Sequence, residues 1–394
     1  MRLYRNLCEA VVLTLTEIFT GNRYADKAIE KILKKNSQWG ARDRRFIAET
    51  TYDIVRWYRL FKEVSDARED DFWKLLAVWC VWNDIRLPDW PELTLDENRL
   101  HSRFEKMQHN RPVVESIPDW LDELGEKELK SNWPKELHAL NEEAKVFLRV
   151  NTLKTSRQDL QSRLADEEVF TKTVQQGSDA LMLEERQNVF NLSLFKDGLF
   201  EVQDAGSQLI APFLDVQPGH RVVDACAGGG GKTLHLAALM QNKGRIIALD
   251  TEAWKLEELK KRARRAGASN IEPRVIESSK TMKRLENSAD RLLLDVPCSG
   301  LGVLKRNPDA KWKLSNEFIE TVKQAQKNIL NEYPAILKPG GLMVYATCSI
   351  LPSENTEQVK KFLNEKKEFE LVKEKSVLPS EGFDGFYMAL IRKR

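Results

Sequence analysis

The sequence lacks the long apolar runs that mark a membrane protein. None of its 394 residues belongs to an apolar run approaching the ~20 residues that a membrane helix requires. The first 19 residues mix charges into apolar positions at helical spacing, a pattern that does not fit a secretory signal. We therefore expect a soluble cytoplasmic protein with no membrane partner.

Cysteine is scarce, with five residues spread along the chain at Cys8, Cys80, Cys226, Cys298 and Cys348. An odd number of widely spaced cysteines excludes a disulfide framework, and no Cys or His pair has the spacing of metal ligands. We expect individually placed, reduced thiols and no bound metal. Cys8 and Cys80 fall on helical apolar stripes, which predicts a structural role for both.

An excess of charge of either sign is also missing. The 62 Lys and Arg residues and 60 Asp and Glu residues leave a net charge of +2, so overall charge argues neither for nor against a polyanionic partner. A nucleic acid would have to bind at a local cluster of basic side chains. The chain is too long for one compact core, which predicts two or three domains.

The spacing of apolar residues changes twice and divides the chain into three predicted domains. Residues 1–140 are helical, with a proline-rich connection in their second half. Residues 141–200 contain strand-like segments at 147–151 and 189–192, which predicts a small α+β region. Residues 201–394 alternate short β-branched runs with helical segments, as α/β domains do.

The last of these domains carries the clearest strand pattern. Its predicted parallel strands are residues 221–224, 245–250, 274–276, 291–295 and 342–346. Strands that alternate with helices predict a doubly wound, Rossmann-like sheet with helices on both faces. The final two strand-like segments, at 369–377 and 386–392, have no helix between them, which predicts an antiparallel hairpin at the edge of that sheet.

Four successive glycines follow the first predicted strand, in Asp224-Ala-Cys-Ala-Gly-Gly-Gly-Gly-Lys-Thr. Such a turn lets the backbone approach a ligand closely. A phosphate loop would need glycine where the chain has Cys226, and a dinucleotide fingerprint is matched only trivially. The third interpretation is an S-adenosylmethionine site, in which Asp250 would meet ribose hydroxyls at the end of the second strand. Asp250 could equally cap the helix that follows it.

Two cysteines follow the fourth and fifth strands, Cys298 after Asp295-Val-Pro and Cys348 after Ala-Thr. Neighbouring parallel strands would place both loops over one crevice. Methylation of pyrimidine carbon 5 needs such a set: a thiolate adds to carbon 6, a carboxyl group stabilises charge on the ring, and a base removes the carbon 5 proton. Simple burial of small thiols is the alternative. The turn-forming neighbours of both cysteines disfavour it.

Together these motifs resemble the RNA (cytosine-5) methyltransferase superfamily, and within it the bacterial ribosomal RNA enzymes of the Fmu/Sun type. Residues 202–208, 224–233, 295–312 and 346–349 carry the resemblance, which runs over nearly the whole chain. It implies an S-adenosylmethionine-dependent enzyme whose substrate is RNA, with 16S rRNA as the implied molecule. It also implies that the N-terminal all-α domain is a NusB-like RNA-binding domain.

The resemblance implies roles for individual residues. Cys348 would be the nucleophile, Cys298 would assist release of the methylated product, and Asp295 would contact the cytosine and the cofactor. The cofactor site would be formed by Cys226, Ala227, Gly228, Gly229, Gly230, Gly231, Lys232, Asp250, Glu277 and Asp295. Two departures from the family's usual pattern stand out: Gly228 and Gly229 replace Ala-Pro, and Glu277 replaces an Asp at the adenine contact.

The N-terminal helices would offer basic side chains to RNA phosphates, namely Arg42, Arg44, Arg45, Arg56 and Arg59. A solvated helix face, balanced by neighbouring acids, explains each arginine equally well. Two other functions are weighed against the methyltransferase. A non-catalytic RNA-binding protein is disfavoured because both thiols are present, and a DNA cytosine methyltransferase attacking with Cys298 is disfavoured by the Thr-Cys-Ser motif. A nucleoside triphosphatase is a more distant alternative, and we expect a monomer.

Overall fold

The computed structural model describes residues 2–175, 177 and 179–394. The chain forms two compact units. The first comprises Met1–Glu142 together with Leu304–Leu314, and the second comprises Glu143–Val303 together with Ser315–Arg394. The first unit is therefore discontinuous in sequence, which the pattern of apolar residues did not indicate. In the described part of the chain, no helix is long and apolar enough to cross a membrane.

The first unit is built from helices. They are α1 (Arg5–Phe19), α2 (Ala25–Lys35), α3 (Ala41–Arg56), α4 (Tyr58–Ser65), α5 (Phe72–Trp82), α6 (Glu97–Met107), α7 (Arg111–Val114), α8 (Asp119–Leu129) and α9 (Trp133–Leu140). Their apolar stripes face one core, in which Ile47 and Ile54 of α3 pack with Leu75 and Leu76 of α5. Burial of these stripes is what drives marginal helices to form.

The segment Leu304–Leu314 is held inside the first unit by hydrogen bonds to α3. The Lys311 ammonium donates to the carbonyl of Arg56 at 2.7 Å and to the Asn141 side chain at 3.0 Å. The Trp312 indole N–H donates to the Val55 carbonyl at 2.7 Å. Lys311 is only 2% exposed, and burial lowers its pKa well below the ordinary value. A buried ammonium needs such acceptors, so this segment is an integral part of the helical unit.

The second unit begins with a small antiparallel sheet. Its elements are β1 (Phe147–Val150), α10 (Arg157–Asp166), β2 (Thr171–Thr173), β3 (Ala180–Leu183), α11 (Ser193–Lys196) and β4 (Phe200–Val202). The strand order is β2-β3-β1-β4. The strand expected at 189–192 is wrong. Val189 is buried and Phe190 is exposed, so their alternation imitates a strand while the chain turns into α11.

The rest of the second unit is a larger sheet flanked by helices. The short helix α17 (Ala310–Lys313) belongs to the first unit. The elements of the larger sheet and its flanking helices are α12 (Ala205–Gln208), α13 (Ile210–Phe213), β5 (Arg221–Asp224), α14 (Gly231–Leu239), β6 (Arg245–Asp250), α15 (Ala253–Ala266), β7 (Ile271–Val275), α16 (Ser279–Lys283), β8 (Ala289–Asp295), α18 (Asn316–Glu332), β9 (Leu337–Thr347), α19 (Thr356–Glu365), β10 (Phe369–Val377) and β11 (Phe386–Lys393).

The strand order of the larger sheet is β10-β11-β9-β8-β5-β6-β7. Strands β7, β6, β5, β8 and β9 are parallel, whereas β11 pairs antiparallel with both β9 and β10. The doubly wound sheet and its edge hairpin are therefore confirmed. The chain runs outward from β5 through β6 to β7 and then returns to β8 on the other side of β5. In doubly wound sheets, ligands bind at the place where the order of the strands reverses, beyond the carboxyl ends of the strands.

Candidate active site

The glycine loop between β5 and α14 has a backbone that only glycine adopts easily. Gly228 has φ of 53° and Gly230 has φ of 85°, both in the left-handed region. A Cβ atom at Gly230 would lie 2.6 Å from the side chain of Leu259 on α15, so the loop also packs closely against that helix. No heavy atom lies within 4 Å of the position that a Cβ would take at Gly228.

Asp250, at the end of β6, fixes the shape of this loop. One carboxylate oxygen accepts the Gly228 N–H at 2.9 Å, and the other accepts the Glu252 N–H at 2.9 Å. The side chain therefore joins the loop to Glu252, which is the N-cap of α15, and Asp250 is not itself the helix cap. The contact of Asp250 with a ribose stays a prediction.

Two arginines hold the same loop from other elements. Arg262 of α15 donates to the Gly229 carbonyl at 2.7 Å, and Arg149 of β1 donates to the Gly231 carbonyl at 2.5 Å. Glu201 of β4 in turn accepts from Arg262 at 2.9 Å. Sequence reasoning missed both arginines, because their spacing from the loop carries no signal.

A cavity of about 300 Å³ opens beside the glycine loop. It is lined by Val202, Gln203, Ser207, Asp224, Cys226, Ala227, Gly228, Gly229, Gly231, Lys232, Arg262 and Asp295. Seven of the ten predicted cofactor residues are in this lining. Gly230, Asp250 and Glu277 are not among the described residues that line it. Gly230 caps α14, Asp250 lies behind the loop, and Glu277 is exposed just beyond β7.

Two carboxylates and one ammonium converge in the cavity. Lys232 Nζ lies 2.6 Å from the Asp295 carboxylate, and this pairing raises the pKa of Lys232 although burial acts in the opposite direction. Asp224 accepts the Thr233 hydroxyl at 2.7 Å, and burial raises its pKa to about 7. A cation that entered the cavity would meet Asp224 and Asp295 on its walls, where few water molecules compete with them.

The two cysteines that follow β8 and β9 are brought together. Their sulfur atoms lie 3.1 Å apart, and the Cys348 N–H donates to the Cys298 sulfur at 3.3 Å. The hydrogen bond with Cys348, followed by burial, raises the pKa of Cys298 well above its ordinary value. Lys232 interacts electrostatically with Cys348. The structure thus brings the two thiols together, although neither is among the described residues that line the cavity.

The remaining three cysteines lie apart from this pair. Cys226 lines the cavity, and burial raises the pKa of its thiol well above the ordinary value. Cys8 and Cys80 are fully buried in the helical unit, as the stripes predicted. Among the described residues, no group of three or more His, Cys, Asp and Glu side chains could hold a metal ion.

The five arginines predicted to contact RNA fall into two groups. Arg56 is buried and donates to the Lys305 carbonyl, Arg59 donates to the Ile117 carbonyl, and Arg44 donates to the Trp39 carbonyl. These three arginines therefore have a structural role inside the helical unit, as donors to backbone carbonyls. Arg42 and Arg45 remain exposed.

The exposed pair, Arg42 and Arg45, borders a cavity of about 960 Å³ in the helical unit. Acidic residues share its wall, among them Asp43, Glu49 and Asp53. The lining is therefore mixed in charge. A polyanion would be repelled by part of this wall and attracted by another, so the cavity is not a uniform phosphate site.

Comparison with known proteins agrees with this geometry. Residues 211–391 match the family described as 16S rRNA methyltransferase RsmB/F, and residues 117–190 match its ferredoxin-like domain. The crystal structure of a methyltransferase homolog protein from Pyrococcus horikoshii superposes with a TM-score of 0.65 at 28% identity, covering 72% of this chain and 98% of that one. The larger sheet of the second unit and its helices thus form a Rossmann-like methyltransferase domain.

Similarity to curated relatives extends over most of the chain. A probable ribosomal RNA small subunit methyltransferase B from Synechocystis sp. is 31% identical over 90% of this chain and 88% of its own length. The ribosomal RNA small subunit methyltransferase B of Vibrio cholerae is 34% identical over 70% of this chain and 65% of its own length. The protein belongs to the RsmB/F family of 16S rRNA methyltransferases, and the resemblance seen in its motifs is confirmed.

Members of this class use S-adenosylmethionine as methyl donor, and the cavity residues fit that cofactor. Asp224 and Asp295 suit the positive sulfonium. The open space beside Gly228 lets a ligand approach the backbone. The triphosphatase interpretation is disfavoured by its broken motif.

Proposed function

We propose that this protein methylates carbon 5 of a cytosine in 16S rRNA through a covalent bond between Cys348 and carbon 6 of the base. The observation that carries the proposal is the 3.1 Å separation of the Cys298 and Cys348 sulfurs beside the Lys232–Asp295 pair. All four groups belong to the cavity wall or to the loops at the carboxyl ends of neighbouring strands. S-adenosylmethionine, when bound, supplies the methyl group as an electrophile.

Cys348 is the group suited to attack. The Lys232 ammonium interacts electrostatically with Cys348. When the Cys348 sulfur bonds to carbon 6, the double bond between carbons 5 and 6 is lost and negative charge moves into the ring. A proton held between the Lys232 ammonium and the Asp295 carboxylate can pass to N3 of the ring and neutralise that charge, and it returns to the pair when the Cys348 sulfur leaves. Carbon 5 then carries the electron pair that accepts the methyl group.

Cys298 is suited to the release step. Its raised pKa keeps it a thiol while Cys348 is free, because its hydrogen bond with Cys348 is the largest cause of the shift. Bond formation between Cys348 and carbon 6 removes that cause, which lets Cys298 give its proton to solvent water more easily. The Cys298 thiolate can then take the proton from carbon 5. The electrons of that C–H bond re-form the ring double bond and expel the Cys348 sulfur.

Bisulfite sequencing of 16S rRNA tests the substrate. Ribosomal RNA from a strain that lacks the protein should lose bisulfite protection at one cytosine, and the wild-type gene should restore it. A gene carrying Cys348→Ala should not restore it. Unchanged protection in the deletion strain would contradict the proposal. Methylation of duplex DNA by the purified protein, dependent on Cys298 instead, would favour the DNA methyltransferase alternative.

A further inference from the structure

A buried carboxylate behind the two cysteine loops has no part in the chemistry described so far. Glu354 lies between β9 and α19 and is fully buried. One of its oxygens accepts the hydroxyls of both Ser299 and Ser349, each at 2.5 Å. These serines are the residues that directly follow Cys298 and Cys348. One side chain therefore fastens the two loops that carry the reacting thiols.

The other oxygen of Glu354 extends the same connection. It accepts the backbone N–H of Ser299 at 2.8 Å and the side-chain amide of Gln326 at 3.0 Å. Gln326, on α18, also donates to the Pro297 carbonyl at 2.9 Å, just before Cys298. The Tyr345 hydroxyl donates to the Glu354 carbonyl at 2.6 Å. Gln326 and the Ser299 N–H thus hold the carboxylate, while Tyr345 holds the Glu354 backbone.

We infer that Glu354 is a positioning residue, which sets the distance between the Cys298 and Cys348 sulfurs by holding Ser299 and Ser349 on one carboxylate. The loops follow different strands, and Glu354 accepts the hydroxyls of both serines, whose oxygens lie 3.2 Å apart. A thiol shifted by about 1 Å can lose about 100-fold in rate, because the reacting atoms must meet within a narrow range. This inference rests on the proposed function.

The charge of Glu354 has a second, weaker consequence. The hydrogen bond with Cys348 and burial are the larger causes of the raised pKa of Cys298, and the Glu354 carboxylate raises this pKa further. Position and charge can be separated with two substitutions. In Glu354→Gln, the amide oxygen can accept from Ser299 N–H and Gln326, and the amide N–H groups can donate to the rotated serine hydroxyls. In Glu354→Ala, every one of these bonds is lost.

Single-turnover methylation of a 16S rRNA transcript tests the inference, together with adduct formation in a Cys298→Ala background. Glu354→Ala should slow both steps by roughly 100-fold, while Glu354→Gln should stay within about fivefold of the parent protein. Affinity for S-adenosylhomocysteine, measured by calorimetry, should be unchanged in both. Glu357→Gln, an exposed position on α19, is the matched control and should have no effect.

The outcomes separate this inference from the proposed function. If the wild-type protein does not methylate the transcript, the proposed function fails. If the wild type is active and Glu354→Ala equals it, the positioning role is wrong. Equal loss in Glu354→Gln and Glu354→Ala would also overturn it, since charge alone would then matter. Should Glu354→Ala fail to fold, the Ser299→Ala, Ser349→Ala double variant replaces it, and an unchanged rate there would contradict the inference.

Discussion

Each unit of this protein contains a pair of interacting thiols, and the two pairs differ in their surroundings. Cys8 and Cys80 lie in the apolar core of the helical unit, where burial raises their pKa values to about 11 and about 12. Cys298 and Cys348 lie beyond the carboxyl ends of parallel strands, with sulfurs 3.1 Å apart, and Lys232 interacts electrostatically with Cys348. Burial alone makes a thiol inert, whereas a cation and a ligand cavity beside it make it a candidate nucleophile.

The difference follows from the elements that carry the cysteines. A helix that buries its apolar stripe surrounds a thiol with aliphatic side chains, and the charges that reach Cys8 and Cys80 are negative. The ends of parallel strands present loop backbone and polar side chains to a crevice. The reactivity of a cysteine in this protein therefore depends on its position in the fold more than on its residue type.

The largest effect is expected when one cysteine from each thiol pair is replaced and the two variants are compared. Cys348→Ala should reduce methylation by on the order of 10⁴-fold or more, because the covalent step has no substitute. Cys80→Ala, the matched control, should leave the rate nearly unchanged and lower the free energy of unfolding by about 1–3 kcal/mol. Single-turnover kinetics and urea unfolding measure the two quantities. Loss of activity in the folded Cys80→Ala protein would contradict the conclusion that the two thiol pairs have different roles.

A smaller effect tests the cation that distinguishes the catalytic pair. Lys232→Met keeps a long side chain but removes the ammonium that pairs with Asp295 at 2.6 Å. Methylation should fall by about 10²- to 10³-fold, the range for loss of one charged stabilising group. Lys261→Met, at an exposed position on α15, is the matched control. A wild-type rate in Lys232→Met would mean that the cation is not needed.

The smallest effect concerns pH and the carboxylate beside the glycine loop. Burial raises the pKa of Asp224 to about 7, and a sulfonium favours its charged form. Below pH 7 the carboxyl must release a proton when S-adenosylmethionine binds, so affinity should fall by up to about tenfold per pH unit. Calorimetry at pH 6, 7 and 8 measures this. S-adenosylhomocysteine, whose sulfur is neutral, should show a weaker dependence, and identical profiles would contradict the assignment.

Much of the catalytic domain could be predicted because its strands are short, buried and β-branched. Strands β5 and β6 lie at the residues expected for them, and the edge hairpin is present. The topology then placed Cys298 and Cys348 together without any knowledge of side-chain geometry. The resemblance supplied the roles of these residues, which no periodicity contains.

Other features could not be predicted because they depend on contacts between distant segments. The burial of Lys311 against Arg56 and the placement of Arg262 on the Gly229 carbonyl leave no trace in local spacing. Glu354 stands in a proline- and serine-containing turn that gives no sign of two partner loops. The strand expected at 189–192 failed for the opposite reason, because local alternation was present without a pairing partner.

Trapping of a covalent protein–RNA adduct tests the central claim most directly. The protein with Cys298→Ala, incubated with S-adenosylmethionine and 16S rRNA transcript, should accumulate an adduct that survives denaturing electrophoresis, because the base that permits release is gone. Cys348→Ala and the double variant should form none. An adduct formed by Cys348→Ala but not by Cys298→Ala would contradict the account and assign the attack to Cys298.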